Sequence, residues 1–155
     1  MYFYLLYLFP DASWVGLITF VPQLALLAVF TRRFHADIVF CVSMLTVMFV
    51  VFNKVSTVQY FVWYMCLLPA ILPQSRLSRG ALAAMFGTWF ASMGAWLGAA
   101  GLLELRGHDA FATVWAAGLA FFAVNIVCMV RVIGAHELAP TFEGGALAKI
   151  RNLEE

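Results

Sequence analysis

Long apolar runs, separated by short polar connectors, set the pattern of this chain. They predict helices over about 13–30, 38–52, 58–72, 81–103 and 110–133. Several approach the roughly 20 apolar residues that cross a bilayer core. Ser13, or Asp11 just before it, is placed to cap the first helix. Pro22 and Gln23 interrupt that helix, where neighbouring helices repair a kink in a membrane. Pro69 and Pro73 shorten the third helix, and Gly134 reads as the stop of the fifth. Ahead of the first helix, Tyr2, Tyr4 and Tyr7 fall on one helical face or in an interfacial strip, as the tail of an earlier element or a re-entrant or interfacial piece. The expected fold is therefore all-α, a polytopic integral membrane protein of about five transmembrane helices over residues 1–133. A polar, poorly ordered tail follows at 134–155.

Composition supports the membrane reading. The chain is 65% hydrophobic and 11% charged, whereas soluble domains are about half apolar and about a quarter charged. A standalone soluble enzyme is excluded on that ground. A net charge of +1 without a basic stripe points to no nucleic-acid partner. Cys41, Cys66 and Cys128 all fall inside apolar runs, unpaired and without metal-like spacing. They read as small buried hydrophobes.

Charge also orders the connectors. If successive connectors alternate sides, one side receives Arg32, Arg33, Arg76, Arg79, Arg131, Lys149 and Arg151, and the other receives Lys54 and Arg106. Cation-rich connectors stay in the cytosol. The C-terminus is then cytosolic, and residues 53–59 and 104–109 face the lumen or exterior.

Within the fourth helix, Gly94 and Gly98 form a GxxxG pair, extended by Ala91, Ala95 and Ala99. Such a face serves close helix packing, either within the chain or between copies.

The candidate chemistry lies in the polar break after the second helix. Asn53, Lys54 and Gln59 sit within seven residues of one another, followed at once by Tyr60, Trp63 and Tyr64. Taken singly, Lys54 is a snorkelling interfacial lysine and the aromatics are a belt. Together they offer more. Gln59, Tyr60 and Trp63 share a helical face at spacings of three and four. Lys54 supplies a point charge for a phosphate, and the aromatic faces suit a sugar ring or a polyprenyl chain. Arg106 and His108 share the predicted lumenal side and read as a solvated loop.

Residues 52–69 read Phe-Asn-Lys-Val-Ser-Thr-Val-Gln-Tyr-Phe-Val-Trp-Tyr-Met-Cys-Leu-Leu-Pro. This stretch resembles the signature of the GPI mannosyltransferase I (PIG-M) family, close to FNKVxTxQYFxWYxxLLP. Ser56, Val58, Val62, Met65 and Cys66 occupy the variable places. The likeness extends more weakly from Tyr2 through Val21-Pro22-Gln23-Leu24 to about Ile133.

The resemblance implies a multispanning endoplasmic-reticulum enzyme of the GT-C glycosyltransferase class. Such enzymes transfer mannose from dolichyl-phosphate mannose to glucosaminyl-phosphatidylinositol in an α-1,4 link. They work on the lumenal side with a small PIG-X-type membrane subunit. Asn53, Lys54, Gln59, Tyr60 and Trp63 are then the expected substrate-binding residues.

The family's Asp-x-Asp-type motif is absent from this sequence, where only Glu154 and Glu155 are adjacent acids. The chain therefore reads as the C-terminal part of such an enzyme, with no catalytic residue of its own and its general base expected upstream. No cofactor or metal ligand set is read from it. The competing expectation is a non-catalytic accessory or scaffold membrane protein. A small transporter or channel subunit ranks lower. Transport sites place ionisable groups between helices, and the helix interiors here offer Gln23, Asn125 and a few hydroxyls.

Overall fold

A computed structural model describes residues 20–53, 58–142 and the backbone of 143 and 146–147. The candidate caps Asp11 and Ser13, the tyrosines before them, and Lys54 lie outside the described residues. The helices are α1 (Val21–Phe34), α2 (Ile38–Val51), α3 (Val58–Met65), α4 (Leu68–Ile71), α5 (Arg79–Glu104) and α6 (Phe111–Ala135), with a 3-10 turn at Leu72–Gln74. The described residues also include a pair of two-residue antiparallel strands, β1 (Phe142–Glu143) and β2 (Ala146–Leu147). Gly144 and Gly145 stand between them in sequence, the residue type that two-residue hairpin loops favour.

The helices separate into two compact units. The first holds α1–α4 together with the residues from His136 onward. Its core is Phe40, Met44, Met48, Val50, Phe61, Tyr64 and Ile71, all buried. Pro22 stands in the first turn of α1, where a missing N–H breaks no helical bond. The expected mid-helix kink is thus an N-terminal proline among the described residues. The third predicted helix is broken. The Cys66 amide still bonds to the Val62 carbonyl, but the Leu67 amide bonds to Tyr64, only three residues back. Pro69, lacking an N–H, opens α4 and Pro73 opens the 3-10 turn. The residues expected to form a loose tail are anchored at their start. Ser75 and His136 form an isolated antiparallel bridge, and the Glu137 amide donates to the Gln74 carbonyl at 3.0 Å.

The second unit is the α5–α6 hairpin. The Ser78 hydroxyl caps α5 by accepting from the Ala81 amide at 3.2 Å. The indole of Trp89 donates to Asn125 Oδ1 at 3.0 Å, and Asn125 Nδ2 donates to the Phe121 carbonyl at 2.8 Å. Phe121 packs against both Trp89 and Trp96. Gly118 of α6 lies against Trp96, and a Cβ there would meet the indole at 3.7 Å. Gly94 and Gly98 do not make this contact, since no described atom lies within 4 Å of a Cβ at either. Gly134 lies inside α6, which runs on to Ala135. The chain turns instead at Gly107, whose φ of 64° is in the left-handed region open to glycine.

By length and composition, α6 is the described helix long and apolar enough to cross a membrane. Helix α2 is apolar apart from the hydroxyls of Ser43 and Thr46 but has 14 residues, about 21 Å at 1.5 Å per residue, short of a hydrocarbon core of about 30 Å. Cys41 is buried and Cys128 half-buried, whereas Cys66 is exposed, against the expectation that all three are buried.

Candidate functional site

The polar segment begins where α2 ends. The Phe52 amide completes a helical bond to Met48 at 3.0 Å, while the Asn53 amide reaches Val50 at 3.3 Å, three residues back. This tightening ends the helix and leaves Asn53 partly buried. Past the undescribed 54–57, α3 presents two faces. Phe61 and Tyr64 point inward, each 5% exposed, with ring centroids 6.1 Å apart. Gln59, Tyr60, Val62 and Trp63 lie on the outer side, with Trp63 51% exposed. The Tyr60 and Trp63 rings are tilted by 44° with centroids 4.9 Å apart. The structure therefore gathers Tyr60 and Trp63 into one aromatic edge, with Gln59 four residues from Trp63 on the same helix. Asn53 lies at the end of the helix before it.

Sequence reasoning passed over a buried polar cluster at the opposite end of α2. Asp37, which stands in the connector between the first and second predicted helices, is the N-cap of this helix. Its Oδ1 accepts from the Phe40 amide at 3.0 Å. Its Oδ2 lies 2.9 Å from His136 Nε2 and accepts from the Ala139 amide at 3.2 Å. The His136 ring stacks on Phe40 with centroids 3.6 Å apart. The Thr141 hydroxyl accepts from the Ile38 amide at 3.0 Å, and the Thr141 amide donates to the Ala36 carbonyl at 2.9 Å. An aspartate immediately before an apolar run is a readable capping signal. Its partner 99 residues away is not.

Nothing in this geometry makes Asp37 a general base. Both its oxygens are occupied, and neither side chain of the pair is more than 3% exposed. The other described acids outside the tail, Glu104 and Asp109, are exposed. Arg106 and His108 are exposed with them. Among the described residues, no group of three or more His, Cys, Asp or Glu is arranged to hold a metal ion.

Comparison with known proteins places the segment in context. The family model described as Mannosyltransferase (PIG-M) matches residues 1–133. The GPI mannosyltransferase 1 of Dictyostelium discoideum is 42% identical over 122 residues, covering 79% of this chain and 28% of that protein. The GPI alpha-1,4-mannosyltransferase I catalytic subunit of Danio rerio is 40% identical over 135 residues, covering 85% of this chain and 34% of that protein. A GPI mannosyltransferase 1 from Trypanosoma brucei brucei is 30% identical over 126 residues. No solved structure matches. The chain thus spans 28% and 34% of the length of the first two relatives. Because the match runs through the whole of α1–α6 up to Ile133, including the polar segment and its aromatic edge, the chain belongs to the PIG-M mannosyltransferase family.

Proposed function

We propose that this chain forms part of a mannosyltransferase of GPI-anchor synthesis, and that residues 53–63 bind its sugar donor. The supporting observation is the family's polar-aromatic segment, which closes α2 at Asn53 and includes the half-buried Tyr60 and exposed Trp63 paired on α3. The reaction moves a mannosyl group from dolichyl-phosphate mannose to glucosaminyl-phosphatidylinositol, forming an α-1,4 link.

In that reaction an acceptor hydroxyl attacks the anomeric carbon. The bond from that carbon to the phosphate oxygen breaks, and dolichyl phosphate leaves with the electron pair. The hydroxyl proton passes to a general base. Lys54 supplies fixed positive charge to the departing phosphate. Asn53 and Gln59 offer amide N–H groups to donor oxygens. Tyr60 and Trp63 lie against the sugar or the polyprenyl chain. The general base is expected upstream of this chain; Asp37 has both its oxygens engaged.

The protein is a multi-pass membrane protein of the endoplasmic reticulum, with 1–133 as its transmembrane region and 134–155 as a cytosolic segment. Residues 53–59 and 104–109 face the lumen. Two observations support this arrangement. One is the seven-to-two division of cations between connectors. The other is that the three connectors assigned to the cation-rich side contribute Ala36, Gln74 and Glu137 to one hydrogen-bonded group. A PIG-X-type membrane subunit is the expected partner.

The test is complementation in cells lacking the first GPI mannosyltransferase. We would express this chain, and a chimera in which its residues 1–133 replace the aligned stretch of the Danio rerio catalytic subunit. Rescue of surface GPI-anchored protein by the chimera only is the expected result. Failure of the chimera, at normal abundance, sinks the functional reading. Rescue by the chain itself places the base among the acids present here.

A further inference from the structure

We propose that Gln23 is a positioning residue for the polar segment. Its side-chain amide caps the C-terminal end of α2 and so fixes where the chain leaves that helix at Asn53. This rests on the reading of residues 53–63 as the donor-binding segment.

The last carbonyls of a helix have no partner within it. Regular helical geometry would give the Phe49 carbonyl the Asn53 amide. That amide bonds to Val50 instead. Gln23 Nε2 fills the gap, donating to the Phe49 carbonyl at 3.3 Å. Gln23 is 4% exposed, and a primary amide in apolar surroundings is costly unless it is hydrogen-bonded. A methionine or leucine would fill the same space without that requirement. The glutamine therefore does something packing alone does not ask for.

Helix α2 is held at its other end as well, by Asp37, His136 and the Ala139 amide. With both ends tied to groups outside the helix, it has little freedom to slide or rotate. Pro22 sets the backbone of the turn that carries Gln23. Reacting groups displaced by about 1 Å lose up to a hundredfold in rate, so a fixed exit from α2 at Asn53 matters to the segment that begins there.

The test uses the full-length chimera with Gln23→Met, which keeps the length and lacks the N–H, and Gln23→Glu, which offers oxygen where an N–H is needed. Hydrogen exchange at the Phe52 and Asn53 amides and the kinetics of mannosyl transfer are measured together. Both variants are expected to speed exchange at these amides about tenfold, as local opening of the last turn becomes easier. Exchange in α5 and α6 should be unchanged. The kcat should fall about tenfold to a hundredfold, with the KM for dolichyl-phosphate mannose within about twofold. In a Lys54→Ala background, Gln23→Met should add no further loss of rate.

Unchanged exchange at residues 52–53 overturns the capping role. Faster exchange with undiminished kcat makes Gln23 structural only and overturns the positioning role. If Lys54→Ala alone leaves transfer intact, the donor-site reading fails instead, and the exchange result still decides whether Gln23 caps α2.

Discussion

His136 Nε2 lies 2.9 Å from Asp37 Oδ2, and the same imidazole ring stacks face to face on Phe40, the residue whose amide Asp37 caps. One aspartate thus starts α2 and holds the returning chain against it. Asp37→Ala removes the cap and leaves the Phe40 and Ala139 amides without an acceptor. It should destabilise the protein by about 3 kcal/mol, read as a fall in thermal midpoint in detergent. Asp37→Asn keeps the capping oxygen but turns an N–H toward the Ala139 amide. It should fall between the parent and the alanine variant. An alanine variant as stable as the parent would contradict the assignment.

His136 Nδ1 is buried with no hydrogen-bond partner among the described residues, so there the imidazole contributes one bond and one stacked face. His136→Phe keeps the face and removes the orphaned nitrogen, while His136→Ala loses both bond and packing. The phenylalanine variant should lose about 1 kcal/mol and the alanine variant at least about twice that, compared by the same melting measurement.

The two faces of α3 should separate binding from stability. Phe61→Ala opens a cavity among Tyr64 and its neighbours and should destabilise by about 3–5 kcal/mol. Trp63→Ala removes a ring that is half in contact with surroundings outside the chain. It should leave the melting temperature nearly unchanged and raise the KM for dolichyl-phosphate mannose in the active chimera. An unchanged KM would remove Trp63 from the donor site.

Lys54 carries the charge assigned to the leaving phosphate. Lys54→Ala should lower kcat by about a hundredfold or more, and Lys54→Arg should restore part of it, since the charge remains while its geometry changes. Steady-state transfer in detergent, at matched protein levels, measures this. Equal rates for the parent and the alanine variant would dismiss the lysine.

Sidedness can be read by chemical labelling in sealed microsomes, with Cys66→Ala as background. An impermeant maleimide should reach Glu137→Cys directly and Arg106→Cys only after permeabilisation. The reverse pattern would invert the topology drawn from the cations.

In the α5–α6 hairpin, the Trp89–Asn125 bond is the buried polar link. Trp89→Phe and Asn125→Leu, combined in a double-mutant cycle, should show a coupling of about 0.6–1 kcal/mol, the usual range for interhelical hydrogen bonds in membranes.

Most of the helical framework was legible in the sequence because apolar runs and polar connectors report it directly. The predicted second helix, 38–52, differs by one residue from Ile38–Val51. What escaped were features set by partners distant in sequence. Pro22 looks like a kink until the start of α1 is placed at Val21. Gln23 looks like a defect until the Phe49 carbonyl is found across from it, 26 residues on. Gly94 and Gly98 match a packing motif, yet Gly118 makes the close approach, because a motif does not say which helix face its neighbour meets. For the candidate site, the shared edge of Tyr60 and Trp63 follows from helical spacing. The clamp at Asp37 does not, because nothing local to either residue marks the other.

The 99-residue separation between Asp37 and His136 has a consequence for biogenesis. A ribosome working at about 5–20 residues per second needs about 5–20 seconds to reach the histidine after making the aspartate. Throughout that interval the carboxylate at the head of α2 lacks two of the three groups that finally engage it. A nascent chain halted anywhere between them exposes a polar group that the finished protein conceals. The clamp therefore cannot close until the chain has been made at least through Ala139, which places it late in the assembly of the unit it holds together.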